Sequence, residues 1–283
     1  MVLPNFFIVG APKAGTDLLY YQLDQHPQVY MSPLKEPNYF ASEVRLHNFH
    51  PSLRLQVERG ASSMRAYLYA DVLAKRFGGM ITNMSDYTRL FAAANSEAAI
   101  GEGSVCYLWS RTAASGIADV LPEARIIIVL MDPAERAFHQ YLKSLSDGTV
   151  AHSFSEHLEL GFKDRNEIDS EIRLFNPFLG FGEYAEQVKR YLQHFPRHQL
   201  LISLYEDTQA DYDRWFANIL SFLEVDSAFR PSDIDVPSKP HLPEAVPEPQ
   251  LLPADRAKLV EYYRDDILCL QDLIRRDLSA WLF

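Results

Sequence analysis

The chain has 283 residues, 47% of them hydrophobic and 23% charged, which supplies one sizeable core and excludes a disordered or fibrous protein. A formal net charge of −11 argues against nucleic acid and other polyanions as partners unless a basic groove is concentrated locally. Cys106 and Cys269 lack metal-ligand spacing, no apolar run reaches membrane-spanning length, and no basic stretch precedes the first apolar run; a reduced, cytoplasmic protein without a signal peptide is the expectation. That first run, Phe6 to Val9, predicts a buried parallel strand. It breaks at Gly10 and Gly15 and resumes as a helical pattern from Asp17 through Leu23. Strand, glycine loop and helix aim backbone N–H groups and a positive dipole end at one spot, which suits a phosphate. The loop is not a Walker A loop, because Lys13 stands two residues before Gly15 instead of directly after it.

His26 to Met31 is a short extended segment leading into Ser32-Pro33-Leu34-Lys35-Glu36-Pro37-Asn38-Tyr39-Phe40. The two prolines make this a loop, and Glu36, directly before Pro37, is expected in extended geometry. Residues 42–64 are mixed and polar, and His47 and His50 have no third metal ligand nearby in sequence. From Met64 to Phe77 the pattern is helical, stopped by Gly78-Gly79, and 42–97 is expected to form a cap or lid over the site or to cover the sheet. Ala98 to Leu108 reads as a strand running into a loop, and Thr112 to Leu121 as a helix.

Arg125 to Met131 is the strongest buried strand; Asp132-Pro133 ends it and opens a helix to Leu145. Ala151 to Asn176 is charged and partly helical, with His152 and His157 expected at the surface. A helix from Gly182 to Leu192, a strand from Gln199 to Asp207 and a helix from Trp215 to Leu223 follow. Residues 230–253 are proline-rich, with linker character, and Ala254 to Leu273 closes the chain as an amphipathic helix with Leu259, Tyr262, Tyr263, Ile267 and Leu270 inward. The alternation predicts an α/β fold, three layers with a central parallel sheet and helices on both faces, and a ligand at the carboxyl ends of the strands. No internal repeat appears, and 1–283 is expected to be one domain.

Pro12-Lys13-Ala14-Gly15-Thr16 after an N-terminal strand resembles the donor loop of sulfotransferases that use PAPS (phosphoadenosine phosphosulfate). Further segments resemble the carbohydrate and heparan type and its bacterial relatives in the expected order. These are Lys35-Glu36-Pro37 with its aromatic pair, Gly101-Glu102-Gly103-Ser104-Val105-Cys106-Tyr107-Leu108, and Asp132-Pro133 with Arg136, Ala137, Phe138 and Tyr141. The resemblance runs over residues 5–225 and implies a P-loop-like fold. It also implies a phosphosulfate cradle made by Lys13, Ala14, Gly15, Thr16, Asp17 and Leu18, Glu36 as the base, and Ser104 and Tyr107 on the acceptor side. Departures from the pattern are equally plain. Gly103 replaces a common lysine and Val105 the usual proline, while Met131 and His139 stand where an arginine and a serine bind the ribose-linked phosphate. Asp17 replaces a phosphate ligand and is expected to act as a helix N-cap pointing away. Ser238-Lys239-Pro240-His241 resembles a remnant of the basic loop that folds over the nucleotide, with Lys239 its cation.

The resemblance implies sulfuryl transfer from PAPS to a hydroxyl or amine of a small-molecule or glycan acceptor, with PAP released and no metal required. Glu36 would take the acceptor's proton and Lys13 would stabilise the leaving phosphate. His139 is a second candidate base, and the net charge favours a small or uncharged acceptor over a heparan-like polymer. Two alternatives stay open: a non-catalytic relative with a degenerate nucleotide site, favoured by Met131, His139 and Asp17, and a relative using another sulfate donor. A kinase or NTPase is disfavoured by the lysine placement and by the lack of a Walker B pair. Whether the chain forms a homodimer is left open by the sequence.

Overall fold

A computed structural model describes residues 2–45, 63–167, 178–233 and 249–283. Its centre is a five-stranded sheet built from β1 (Phe6–Gly10), β2 (Val29–Met31), β5 (Ala99–Gly103), β6 (Arg125–Leu130) and β7 (Leu200–Leu204), in the order β2-β5-β1-β6-β7. Every pairing is parallel, with Phe6 opposite both Gly101 and Arg125, and Ile126 opposite Leu200. A parallel sheet needs cover on both faces, which is why β1 and β6 read as unbroken apolar runs instead of alternating ones. Successive connections leave β1 toward opposite edges of the sheet, so the crevice for a ligand opens at its carboxyl end. Gly101 is glycine because a Cβ there would lie 2.1 Å from the ring of Phe6.

The helix Pro133–Ser146 starts as the sequence predicts. Asp132 caps it by accepting from the Ala134 N–H at 2.8 Å, and Arg256 of the closing helix Pro253–Ile274 donates to the other oxygen of Asp132 at 2.6 Å. The same closing helix lends Asp266, which accepts from the Tyr184 and Ala185 N–H groups at 2.8 and 3.0 Å and so caps the helix Tyr184–His194 from outside. Its inward stripe includes Leu259, Tyr263, Ile267 and Leu270, as expected, with Tyr262 only half-buried.

Three stretches differ from the sequence expectation. The helix predicted from Met64 to Phe77 covers 63–68 only, and Arg76–Phe77 forms a short strand, β4, against β3 (Leu34–Lys35). The free edge of the Leu34–Lys35 segment explains the switch: Arg76 N–H donates to Pro33 O at 2.9 Å and Gly78 N–H to Lys35 O at 2.9 Å. Beyond β5 the expected loop is a helical turn, Cys106–Trp109, and Tyr205 to Asp207 leave the β7 strand to begin a helix, Tyr205–Ala210. His47, His50 and Lys239 lie outside the described residues. Among the described residues no helix is long and apolar enough to cross a membrane.

Candidate active site

The loop after β1 is shaped by two left-handed residues, Lys13 (φ 72°) and Gly15 (φ 81°). Gly15 tolerates this without a Cβ clash, and a Cβ would also press on the Tyr205 ring at 3.1 Å. Lys13 adopts the same region at a steric cost, and such outliers persist where the surrounding structure over-determines them, commonly at binding sites. Gly15 is the N-cap of the helix Thr16–Leu23 and, lacking a side chain, provides no side-chain cap. The first-turn N–H groups of Thr16, Asp17 and Leu18 therefore retain their capacity for an anion. Thr16 and Ala14 are buried in the loop, Leu18 is exposed, and Lys13 is half-buried. Burial pulls the Lys13 ammonium below its ordinary value, and the nearby Asp17 carboxylate offsets only part of that.

Asp17 is not the N-cap. It stands in the first turn after Gly15, and its carboxylate meets the ammonium of Lys35 at 2.6 Å. Lys35, 1% exposed, also donates to Glu36 Oε1 at 2.7 Å and lies over the exposed Phe77 ring, 5.0 Å from its centroid. One ammonium thus joins the donor loop to the candidate base. Burial alone would lower the Lys35 pKa, but Glu36 and Asp17 outweigh it and hold the residue charged. Glu36 departs from expectation too: its φ is 65°, left-handed instead of extended. Its N–H donates to Gly103 O at 2.8 Å and its carbonyl accepts from Gly79 N–H and Asn38 Nδ2, both at 2.9 Å, which fixes the backbone against the pre-proline preference. Its Oε2 accepts from the Val105 N–H at 2.9 Å. A proline at 105 would have no such donor.

Ser104 and Tyr107 lie behind this loop and not on an open acceptor face. Both are fully buried, and both hydroxyls donate to Glu102 at 2.9 Å, Ser104 to Oε2 and Tyr107 to Oε1. Both belong to the wall that carries Glu36. On the other side of the loop Met131 is buried, with its carbonyl accepting from Tyr184 OH at 3.0 Å. His139 is half-buried, and burial first, then the charge of Lys13, lowers its pKa, so a neutral imidazole faces the loop at neutral pH. Lys143, one turn further along the same helix, is a second cation whose charge acts on Lys13, more strongly than that of Lys35; it is ion-paired with Asp147.

The sequence profile of the sulfotransferase family matches residues 4–229. The chain belongs to the sulfotransferase family. Over 99% of both chains it is 32% identical to a sulfotransferase from Alicyclobacillus acidocaldarius, with a TM-score of 0.76. It is 24% identical over 99% of its length to human carbohydrate sulfotransferase 15, of which that match covers 54%. It is 30% identical over 79% of its length to human bifunctional heparan sulfate N-deacetylase/N-sulfotransferase 3, covering 22% of it. The chain thus spans about half the length, or less, of these curated relatives. A mouse sulfotransferase, SULT7A1, solved with PAP, shares the fold at a TM-score of 0.52 and 12% identity.

Within this sulfotransferase fold the residues fit a phosphosulfate at the loop: glycine-shaped backbone, uncapped helix start and one partly desolvated lysine. They fit a second phosphate less well, because Met131 offers no donor and a neutral His139 offers one N–H without charge. Sequence reasoning missed Lys35, although it quoted the residue inside Lys35-Glu36-Pro37; nothing in spacing reveals that its ammonium turns toward Asp17. Replacing Lys35 by methionine strands the carboxylate of Glu36 in a buried place. Stability to urea is expected to fall by about 3 kcal/mol, the lower end for a broken buried pair because Asp17 keeps water. A loss under about 1 kcal/mol would mean Lys35 is not the cation that holds these groups together.

Proposed function

We propose that this sulfotransferase-family chain moves a sulfuryl group from PAPS to a hydroxyl or amine of a glycan or small-molecule acceptor. The observation that carries this is the Lys13 loop and Glu36 meeting around the single ammonium of Lys35, through Asp17 on one side and the Glu36 carboxylate on the other. PAPS, when bound, supplies an activated sulfuryl group on a phosphate leaving group. The N–H groups of Thr16, Asp17 and Leu18 and the Thr16 hydroxyl hold the phosphosulfate end, and Lys13 faces the oxygen that gains charge as its bond to sulfur breaks. Glu36 takes the proton from the acceptor's O–H or N–H as that atom bonds to sulfur. The relatives are carbohydrate and heparan sulfate sulfotransferases by name, which supports a glycan acceptor; the −11 charge favours one of low negative charge, or its amine.

Calorimetric titration with PAP is the test. Binding near the micromolar range that weakens at least about tenfold in Lys13→Ala is expected, a tenfold change corresponding to about 1.4 kcal/mol for one lost charge-assisted contact. The second reading, an alternative donor or a degenerate site, is favoured by Met131 and the neutral His139. No PAP binding by the native chain would decide for it, with an aryl sulfate as the next donor to try.

A further inference from the structure

Glu102 is a carboxyl group with no exposure and, among the described residues, no ion-pair partner, on the strand next to β1. It is absent from the chemistry above, yet three hydroxyls converge on it. Tyr87 OH and Tyr107 OH reach Oε1 and Ser104 Oγ reaches Oε2, each at 2.9 Å. Burying an unpaired carboxylate is expensive, and three donors are what such a group needs in place of water. Their far sides are also in use. Ser104 Oγ accepts from the Asn38 N–H at 3.1 Å and Tyr107 OH accepts from the Phe40 N–H at 3.2 Å. The backbone that follows Glu36 therefore hangs on two hydroxyls whose hydrogens are both committed to Glu102.

Direction is the point of this arrangement. A hydroxyl that gives its hydrogen to Glu102 turns its lone pairs toward the loop and can accept from a backbone N–H. An amide or a protonated acid at 102 carries hydrogens of its own and forces at least one hydroxyl to reverse or lose a partner. We propose that Glu102 is a positioning residue: through Ser104 and Tyr107 its carboxylate fixes the 36–40 loop and thereby aims Glu36 at the acceptor. This rests on Glu36 being the base, but the loop's dependence on Glu102 is a property of the fold and is measurable without any acceptor.

Protonation should loosen the same loop. Burial raises the Glu102 pKa to about 7, against the lowering effect of the Tyr107, Ser104 and Tyr87 hydroxyls. The groups around it that titrate or carry charge are Tyr87 from its short helix, Tyr107 and Cys106 from the turn after β5, Tyr191 from the helix Tyr184–His194, and Glu36 across the loop. All the tyrosines and Cys106 are held neutral by burial, so the charges in play are Glu102 and Glu36, the latter paired with the Lys35 ammonium.

Hydrogen exchange at the Asn38 and Phe40 amides, followed by NMR as protection factors in native protein and Glu102→Gln, tests the proposal. The variant is expected to lose about tenfold protection at both amides, one hydrogen bond's worth, while β1 and β6 amides keep theirs. In native protein the same two amides should lose protection as pH falls through about 7, and Glu102→Gln should show no such step. Ser104→Ala keeps the tyrosine bonds to Glu102 and covers the case in which the glutamine variant does not fold: protection should fall at Asn38 and hold at Phe40. With labelled PAPS and an uncharged oligosaccharide acceptor, kcat should drop in Glu102→Gln with the KM for PAPS unchanged. Unchanged protection at Asn38 in both variants, or a loss spread evenly over the sheet, would overturn the proposal. Absence of transfer by the native chain to that and other acceptors would instead count against the proposed transfer reaction, and with it Glu36 as its base, leaving the exchange result to stand.

Discussion

Lys13→Ala is expected to lower kcat for sulfuryl transfer by about 10²–10³-fold, the usual consequence of removing one preorganised donor from developing charge. The loop keeps its shape in this variant, because alanine at φ 72° pays much the same left-handed cost that lysine already pays. Stability and the circular-dichroism spectrum should therefore match the native chain, and the loss should appear in single-turnover rates with labelled PAPS. On the proposed reading, lysine suits the position as a compact charge able to follow one oxygen from sulfuryl bridge to free phosphate. Burial has already stripped part of its water and made each interaction with a new negative charge stronger. A kcat reduced less than about tenfold would remove Lys13 from the transition state and leave it a ligand of the ground state.

How much of this was legible in the sequence depended on whether the physics was local. The unbroken apolar runs of Phe6–Val9 and Arg125–Met131 specify buried parallel strands by themselves, and Asp132-Pro133 specifies the helix start that follows; all three stand in the structure with small shifts. Asp17 illustrates the limit. Aspartate near a helix start is a good cap, but here the glycine two places earlier takes that position and the carboxylate turns to Lys35, a choice set by where another segment passes. Glu36 fails for a related reason, since three backbone contacts from Gly103, Gly79 and Asn38 override what Pro37 prefers. Ser104 and Tyr107 are buried in the wall behind the loop, which the motif alone does not reveal. Their partner Glu102 is on the strand beside them, but a one-dimensional motif carries no sign of which face is dry.

Glu36→Gln carries the other large effect: kcat is expected to fall by about 10²–10⁴-fold, the range for loss of a positioned general base. The substitution preserves volume; the glutamine can satisfy the Val105 N–H or Lys35 but not both, while the backbone bonds of residue 36 with Gly103 and Gly79 keep the loop in place. Lys35 loses one of its two carboxylates but keeps Asp17, and PAP affinity should stay within a few-fold of native, which separates the base from the donor site. Glu36 has one rival as the base. His139 lies near Lys13, and its lowered pKa leaves it neutral and able to accept a proton at neutral pH. If Glu36→Gln keeps more than about a tenth of native kcat while His139→Asn does not, the base is His139 and the acceptor must approach from the helix Pro133–Ser146. If the loss falls on Glu36 alone, the acceptor enters from the Phe77 side, where an exposed ring lies beside Lys35 and the carboxylate. The pair of variants therefore fixes the direction of attack as well as the identity of the base.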